Sequence, residues 1–436
     1  MSFPETIKYL ESFINYEKIA AYPYKESLKL ERIREFLSAI GSPQKSLKAI
    51  HVAGSKGKGS TCAFISYILR EAGYKVGLYT SPHLSDFRER IRILSFKSQV
   101  SGFKCFEGMI SKLDLSRLVS KLKPAIEEYN KSSQYGPLSF FEVYTAVAFV
   151  YFKEKKVDFV VLETGLGGRL DATNVVDPLA CAITPISYEH TQKLGNTLRE
   201  IASEKAGIIK SFKFQVSGFK LPVVTAPQKE EAMKVIRNKC KETGAKLLVA
   251  DKRIFEEDPD LKINLLGEHQ LINASVAVGV IEALRGYGIS IGVNSIRSGL
   301  FNTVWPGRCE VISKNPQIVL DGAQNIASAG VLKETIKKYF NYNKLILVLG
   351  ISNDKDIKGI CSKLNSLADR VIVTKANNPR AAMPIDLAKN FSNKKILLSD
   401  SVKEAVKLAI TQAKNNDLIL ITGSLFVVGE ARELYA

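Results

Sequence analysis

The sequence contains no run of about 18 apolar residues, the length that a membrane-crossing helix requires. Its first residues, Met1–Glu5, do not begin a signal peptide. Internal repeats and low-complexity segments are also absent. We therefore expect a cytoplasmic protein that does not bind a membrane.

Cysteine is sparse, and the six cysteines are scattered singly along the chain without the spacing of metal ligands. This pattern predicts reduced thiols that are structural or incidental. The residues concerned are Cys62, Cys105, Cys181, Cys240, Cys309 and Cys361.

Dense basic clusters are nearly absent, although the net charge is +18. The main cluster, Lys153–Lys156, is better explained as a solvated helix end than as a binding patch. Because the lysines are spread out and no nucleic-acid motif occurs, we expect no nucleic-acid partner. An anionic small substrate and a generally lysine-rich, solubilising surface both account for the charge.

The 436 residues are too many for one ordinary core, and 45% hydrophobic with 24% charged residues is typical of a soluble globular protein. Apolar strand patterns alternate with helical patterns, which predicts α/β domains with mostly parallel sheets. We predict a large P-loop-type domain over 1–300 and a smaller Rossmann-like domain over 301–436. The first has strands at 47–50, 75–81, 158–163, 180–186, 221–226 and 246–250, and the second at 317–323, 345–350, 370–375, 394–399 and 417–422.

Helical patterns cover 5–16, 25–40, 61–69, 114–132, 140–154, 197–210 and 270–284. Pro124 lies inside one of them and predicts a kink or a division, because proline has no N–H and its ring clashes with the preceding turn.

The stretch His51–Ser60 lies between an apolar strand pattern and a helical pattern. A glycine-rich turn at this place directs backbone N–H groups toward one point before a helix N-terminus, where a phosphate is favoured. Lys58 would reach the outer phosphates and Ser60 offers a hydroxyl to Mg²⁺. The strict phosphate-loop spacing fails, because Val52 stands where it requires glycine, so the turn is a shortened variant. An ordinary glycine-rich turn with a solvated lysine is the alternative.

Other polar clusters also follow predicted strands, at the carboxyl ends where open parallel sheets bind ligands. They are Ser81–Leu84 with Arg88–Arg90, Glu163–Asn174 and Tyr188–His190. Glu163 is the first candidate ligand for Mg²⁺, which prefers oxygen atoms; its alternative role is to cap the following turn. His190 could complete the metal sphere or orient a phosphate, and its alternative is a structural histidine.

Residues 197–210 are predicted to form a helix that starts with a capping box, Thr197 with Glu200. Lys205 lies near its end, where cations are favoured. By pattern alone, Lys205 is a surface lysine.

Seven motifs occur in one order over nearly the whole chain, and together they resemble folylpolyglutamate synthase and dihydrofolate synthase, members of the Mur ligase superfamily. They are His51–Ser60, Ser81–Leu84 with Glu89–Ile91, Glu163–Asn174, Glu189–Lys210, Gly267–Gln270 with Asn273 and Ala274, Trp305–Arg308, and Leu320–Asn325. The resemblance implies an ATP-dependent ligase that activates a substrate carboxylate as an acyl phosphate. L-Glutamate then displaces phosphate to form an amide. Dihydropteroate, a reduced folate or both would be the acceptor, and the enzyme would be a monomer.

The resemblance also assigns residues. It implies catalytic roles for Lys58, Glu163, His190 and Lys205. One Mg²⁺ would be held by Ser60, Ser81 and Glu163, and a second by His190 and a carbamylated Lys205. ATP would meet Gly54, Ser55, Lys56, Gly57, Lys58, Gly59, Ser60, Asn273, Arg308 and Asp321. The pterin and glutamate substrates would contact Ser81, Pro82, His83, Arg90, Asp171, Gln324 and Ser424.

Three positions depart from the family pattern. Lys56 replaces an asparagine, Glu189 replaces an aspartate, and Gln324 with Ile326 replaces a histidine and a proline. Glutamine can form hydrogen bonds but does not titrate near neutral pH. Two alternatives therefore stay open: a related amino-acid ligase with another carboxylate acceptor, and a nucleotide-binding regulatory protein without ligase activity.

Overall fold

The computed structural model describes residues 1–19, 22–96, 106–211, 220–391 and 394–435. Its strands are β1 Ala49–Ala53, β2 Val76–Tyr79, β3 Ile91–Leu94, β4 Phe159–Glu163, β5 Pro178–Ile183, β6 Pro222–Thr225, β7 Lys246–Val249, β8 Glu310–Lys314, β9 Gln317–Asp321, β10 Leu345–Leu349, β11 Arg370–Val373, β12 Lys395–Leu398 and β13 Leu418–Thr422.

The α-helices are α1 Phe3–Glu11, α2 Tyr24–Ser27, α3 Leu30–Ala39, α4 Lys58–Glu71, α5 Lys112–Ser132, α6 Phe140–Glu154, α7 Thr191–Leu194, α8 Leu198–Ala206, α9 Glu230–Thr243, α10 Ile254–Glu257, α11 Glu268–Ala283, α12 Val293–Asn302, α13 Ile326–Tyr339, α14 Ile357–Asn365, α15 Pro384–Ala388, α16 Val402–Gln412 and α17 Leu425–Glu433. Short 3₁₀ turns lie at Pro43–Ser46, Phe87–Arg90, Ala172–Val175 and Leu284–Tyr287. Among these helices, none has the length and apolarity needed to cross a membrane.

The first sheet has the strand order β3-β2-β4-β1-β5-β6-β7, and its neighbours are parallel except for β2 with β3. Strands β4 and β5 therefore lie on either side of β1, and β2 lies beside β4. The carboxyl ends of these four parallel strands share one edge. This order places the segments that follow them around the glycine-rich turn after β1.

Helices cover both faces of the first sheet. Helices α1, α3, α5 and α6 contribute to one apolar cluster, and α4, α11 and α12 contribute to a second. All five residues of β1 and all five of β4 are buried. Burial on both faces is typical of the strands of a parallel sheet.

The second sheet has the order β12-β11-β10-β13-β9-β8, and its neighbours are parallel except for β8 with β9. The α/β prediction, with a P-loop-type sheet and a smaller Rossmann-like sheet, is confirmed. Helix α12 crosses the predicted domain boundary at 300/301, and its Leu300 belongs to a cluster of the first sheet. The boundary itself stays a prediction.

Of the two outcomes predicted at Pro124, the division is wrong, because α5 is one helix from Lys112 to Ser132 with Pro124 inside it. The kink stays a prediction. Pro124 is exposed, while Leu118, Leu122 and Ile126 bury the opposite face. Packing of that face holds the helix together despite the missing hydrogen bond.

Three further predicted helices have different extents. The 5–16 pattern ends at Glu11, and the 25–40 pattern is divided into α2 and α3. The 197–210 pattern ends at Ala206.

Five cysteines are buried free thiols, namely Cys62, Cys181, Cys240, Cys309 and Cys361, and Cys105 lies outside the described residues.

Candidate active site

The predicted phosphate turn joins β1 directly to α4. Gly57 has φ 84°, and a Cβ there would lie 2.0 Å from Asn273 Oδ1. Gly54 has φ 150°, and a Cβ there would lie 1.9 Å from Thr184 Oγ1. Only glycine fits these two positions, because both the backbone angles and the neighbours exclude a side chain. Asn273 thus lies against the turn.

The turn offers fewer backbone donors than its sequence suggests. The N–H groups of Ser55 and Lys56 both donate to Pro185 O, at 3.1 and 3.2 Å. The N–H groups of Lys58, Gly59 and Ser60, in the first turn of α4, have no partner within the helix and are available to an anion. Ser60 is buried at this helix start.

Two lysines converge on one carbonyl oxygen of the turn. Lys58 Nζ lies 3.2 Å and Lys205 Nζ 2.7 Å from Gly54 O. Lys205 is only 2% exposed, so its interpretation as a surface lysine is wrong. Burial, together with the charge of Lys58, lowers its pKa to about 7. Lys205 can therefore lose its proton near neutral pH.

Glu163 ends β4 beside the turn, since its register partner in β1 is Val52. Its Oε2 accepts a hydrogen bond from Ser81 N at 3.2 Å. Burial raises the pKa of this carboxyl, and the nearby charges of Lys58 and Arg308 oppose that rise. A buried carboxylate with one backbone donor retains oxygen lone pairs for another partner.

His190 follows β5 and has φ 50°, in the left-handed region. Its Nε2 lies 3.2 Å from Glu189 Oε1, and the other oxygen of Glu189 lies 2.5 Å from Lys56 Nζ. Burial would raise the pKa of Glu189, but the hydrogen bond from His190 and the charges of Lys56 and Lys58 outweigh it and lower the pKa. Glu189 therefore connects two predicted site residues.

Oxygen and nitrogen ligands are offered here by Glu163, Ser81, His190 and Lys205. In the described part of the chain, however, no group of three His, Cys, Asp or Glu residues could hold a metal. This donor set suits Mg²⁺, which usually keeps several waters and binds through one or two carboxylates plus substrate phosphates. The residues present thus fit a nucleotide-bound Mg²⁺ better than a metal held by protein alone.

Asp171, predicted to contact substrate, organises its own loop. Its Oδ2 accepts from Gly165 N and Leu166 N at 2.8 and 3.0 Å, and its Oδ1 accepts from the Thr173 backbone and hydroxyl at 3.0 and 2.6 Å. His51 Nε2 lies 2.8 Å from the same hydroxyl. Asp171 therefore fixes the glycine-rich loop that follows Glu163.

His83 and Arg90 form a separate group next to Ser81 and the exposed Pro82. Arg90 Nε donates to His83 Nδ1 at 2.8 Å, and its two terminal nitrogens lie 2.8 and 2.6 Å from the carboxylate of Glu17. The guanidinium is thus already paired with Glu17, which no sequence motif singles out. Glu17 is the main site neighbour that sequence reasoning missed.

The remaining predicted residues lie on the second sheet. Asp321 ends β9, where its carboxylate accepts from Cys309 N and Ala323 N, both at 2.9 Å. Ser424 is the N-cap of α17, just beyond β13, which pairs with β9. Arg308 packs over Gly322, where a Cβ would lie 2.8 Å from its Nη1. Gln324 is partly exposed just before α13.

The loop that follows β2 of the first sheet contacts segments that belong with the second sheet. Ser85 Oγ donates to Gly429 O at 3.4 Å, and a Cβ on Gly307 would lie 3.3 Å from Leu84 Cδ1. Trp305 packs against Gly59 of the phosphate turn. Trp305 is the single tryptophan in the sequence and begins one of the seven motifs, but no site role was predicted for it.

Comparison with known proteins agrees with this arrangement. The Mur ligase middle domain model matches residues 141–281, and the Mur ligase glutamate ligase domain model matches residues 307–425. Dihydrofolate synthase/folylpolyglutamate synthase of Bacillus subtilis is 37% identical over 427 residues, covering 93% of this chain and 94% of the relative. The Escherichia coli protein of the same name is 32% identical over 412 residues, covering 93% and 91%.

Solved structures give the same result. Mycobacterium tuberculosis folylpolyglutamate synthase complexed with ADP superposes with a TM-score of 0.85 at 28% identity, covering 100% of this chain and 98% of the other. Escherichia coli FolC in complex with DHPP and ADP gives 0.79 at 28% identity, covering 100% and 97%. The chain therefore belongs to the dihydrofolate synthase/folylpolyglutamate synthase family of ATP-dependent Mur-type ligases.

Proposed function

We propose that the protein joins L-glutamate to dihydropteroate, to the glutamyl chain of a reduced folate, or to both, with cleavage of ATP to ADP and phosphate. The observation that carries this proposal is the convergence of Lys58, Glu163, Lys205 and the Glu189–His190 pair around one phosphate turn. Membership in the family supports it, and the matches do not favour an amino-acid ligase of another kind or a regulatory protein without ligase activity.

The reaction would proceed in two steps. A carboxylate oxygen of the folate substrate attacks the γ-phosphorus of ATP, and the bond to ADP breaks to leave an acyl phosphate. The amine of L-glutamate then attacks the acyl carbon, loses a proton, and phosphate departs with the bonding electrons of the C–O bond. Both steps depend on positioning and on neutralisation of charge, because two anions must approach each other.

Each residue has a role that its position supports. The N–H groups at the start of α4 would receive the phosphates. Lys58 would leave Gly54 O to reach the γ-phosphate. Arg308, Asn273 and Asp321 would border the nucleotide from the second sheet and from α11.

Mg²⁺, when bound, would screen the phosphate charge between Ser60, Ser81 and Glu163. Lys205 and His190 would hold a second Mg²⁺. Because Lys205 has a pKa near 7, its neutral amine can add carbon dioxide and release a proton, which would give the carbamate that the family resemblance implies.

The remaining predictions concern substrates and assembly. His83, Pro82, Arg90 and Asp171 would border the pterin, and Gln324 and Ser424 the incoming glutamate. A monomer in the cytoplasm also stays a prediction, which sedimentation and cell fractionation would test.

The decisive experiment is a coupled assay of ADP release with dihydropteroate or tetrahydrofolate, each with and without L-glutamate. We expect ADP release only when both an acceptor and glutamate are present, and the two acceptors separate the two synthase activities. Glu163→Gln and Lys58→Ala should each lower turnover by about 10³-fold or more in a folded protein. Lys121→Met, in an exposed ion pair with Glu154, is the matched control and should retain native turnover. Native turnover in Glu163→Gln would refute the site.

A further inference from the structure

Two loops of the first sheet meet in an ion pair at the phosphate turn. Lys56 Nζ lies 2.5 Å from Glu189 Oε2, and Glu189 Oε1 lies 3.2 Å from His190 Nε2. The Glu189 side chain is 18% exposed and that of Lys56 is 37% exposed. A pair shielded to this degree is stronger than one on the open surface.

The backbones of the two loops are already joined beneath this pair. Ser55 and Lys56 donate to Pro185 O, and Ser55 Oγ is hydrogen-bonded to Ser187 O and Ser187 N at 3.0 and 3.1 Å. These bonds align the loops as far as Ser187. The side-chain pair extends the connection to His190, whose left-handed backbone conformation needs support from its surroundings.

The concentration of lysines at the phosphate turn explains why Lys56 is paired with Glu189. Lys56, Lys58 and Lys205 bring three amino groups to a single turn, and two of them already contact Gly54 O. Without Glu189, the Lys56 ammonium would bind the phosphates of substrate and product alike, and such uniform binding does not raise turnover. Glu189 neutralises Lys56, whereas Lys58 is held only by the neutral carbonyl of Gly54 among its hydrogen-bond partners given above and can move to the phosphates.

We propose that Lys56 and Glu189 act together as a positioning unit for the ligase reaction, in which Glu189 holds the His190 ring with one oxygen and withholds Lys56 from the phosphates with the other. Lys56 is then not a direct ATP ligand, in contrast to its assignment from the sequence. This inference rests on the proposed function. It concerns the two residues at which this chain departs from the family pattern in the phosphate turn and before His190.

The test is a double-mutant cycle of Lys56→Met and Glu189→Gln, read by turnover and by calorimetric titration with ADP and Mg²⁺. Glu189→Gln should lower kcat about 30-fold while ADP binds as tightly as to the native protein or about threefold more tightly, because Lys56 is released. Lys56→Met should lower kcat about tenfold and weaken ADP about threefold, because Glu189 is left unpaired. The double variant should lose about 30-fold, not the 300-fold product, because residues that act as a unit are not additive.

A second readout does not depend on activity. The sequence has four histidines, so their ring ¹⁵N signals can be resolved and that of His190 assigned with His190→Gln. Both single variants should shift the His190 signal and leave the other three unchanged. The control Lys121→Met should change neither this signal nor ADP affinity.

Three results would overturn the inference. They are multiplicative losses of kcat, a Lys56→Met variant that loses about 100-fold in ADP affinity at native kcat, and an unchanged His190 signal in both single variants. If Glu189→Gln does not fold, Glu189→Ser takes its place in the cycle. Failure of the native protein to bind ADP would refute the proposed function and this inference together. Multiplicative losses of kcat in a protein that binds ADP would refute the inference alone.

Discussion

Lys205 shows how far tertiary structure can change the chemistry of a single residue. Its sequence position, in the last turn of a short helix, indicates a solvated cation. In the fold, α8 carries this side chain under the phosphate turn, where it is buried against Gly54 O. The same lysine thereby acquires a pKa of about 7, and burial is the main cause.

This burial predicts a pH-dependent stability. The folded pKa of Lys205 is about 7 and its ordinary value is 10.5. Between these values the unfolded chain binds more protons, so stability rises with pH; the cost of the buried ammonium is complete below pH 7 and is gone above about pH 10.5. Lys205→Met should therefore be more stable than the native protein at pH 6.5, by about 2 kcal/mol after the loss of one hydrogen bond.

The measurement is urea unfolding of both proteins at pH 6.5, 8 and 9.5, in buffer free of carbon dioxide and nucleotide. The difference in urea midpoint should decrease as the pH rises, and Lys121→Met should show no such trend. A constant difference between the two proteins would contradict the assigned burial cost.

At the scale of elements, helix starts are encoded locally and the order of strands is not. The capping box of Thr197 and Glu200 was predicted from the sequence and is confirmed, with Glu200 N at 3.2 Å from Thr197 Oγ1. A cap needs only residues three apart, so its pattern can be recognised in the sequence. The position of β4 and β5 on either side of β1 depends on pairing between distant segments.

Loss of this cap should affect both stability and turnover. Thr197→Ala removes the acceptor for the helix N-terminus, which costs about 1 kcal/mol. Because α8 carries Lys205 in its last turn beneath the phosphate turn, fraying of α8 should also lower kcat several-fold. Ser401→Ala, which removes the equivalent cap of α16 on the second sheet, is the matched control.

Both variants should lower the urea midpoint by a similar amount, but only Thr197→Ala should lower kcat in the ADP-release assay. Equal losses of kcat in the two variants would show that the effect is general destabilisation and not the placement of Lys205.

At the scale of the whole molecule, the two sheets meet where α17 packs on the segment after β2. A Cβ on Gly429 would lie 2.5 Å from Leu84 O, a backbone atom that can move only with its loop. Gly429 therefore permits the close approach of α17, whose N-cap is Ser424, to the segment after β2.

Gly429→Ala should push α17 away from the segment after β2. We expect a lower urea midpoint, equivalent to about 1–3 kcal/mol, and a loss of turnover because the two halves of the site move apart. Gly330→Ala is the matched control, since a Cβ at Gly330 in α13 meets no atom within 4 Å. That change should stabilise the protein by about 0.5–1 kcal/mol without changing turnover. Native turnover in Gly429→Ala would contradict the proposed role of this contact.

The sequence by itself determined the features that depend on near neighbours: the strand, turn and helix at His51–Ser60, the capping box at Thr197, and the α/β class that follows from the alternation of periods. The tertiary structure alone decided which of those segments share an edge, and it showed that Arg90 is paired by Glu17 and Lys56 by Glu189. The reason is physical. Periodicity and caps arise from contacts a few residues apart, whereas burial, ion pairing and pKa depend on contacts between segments that the fold brings together from distant parts of the chain.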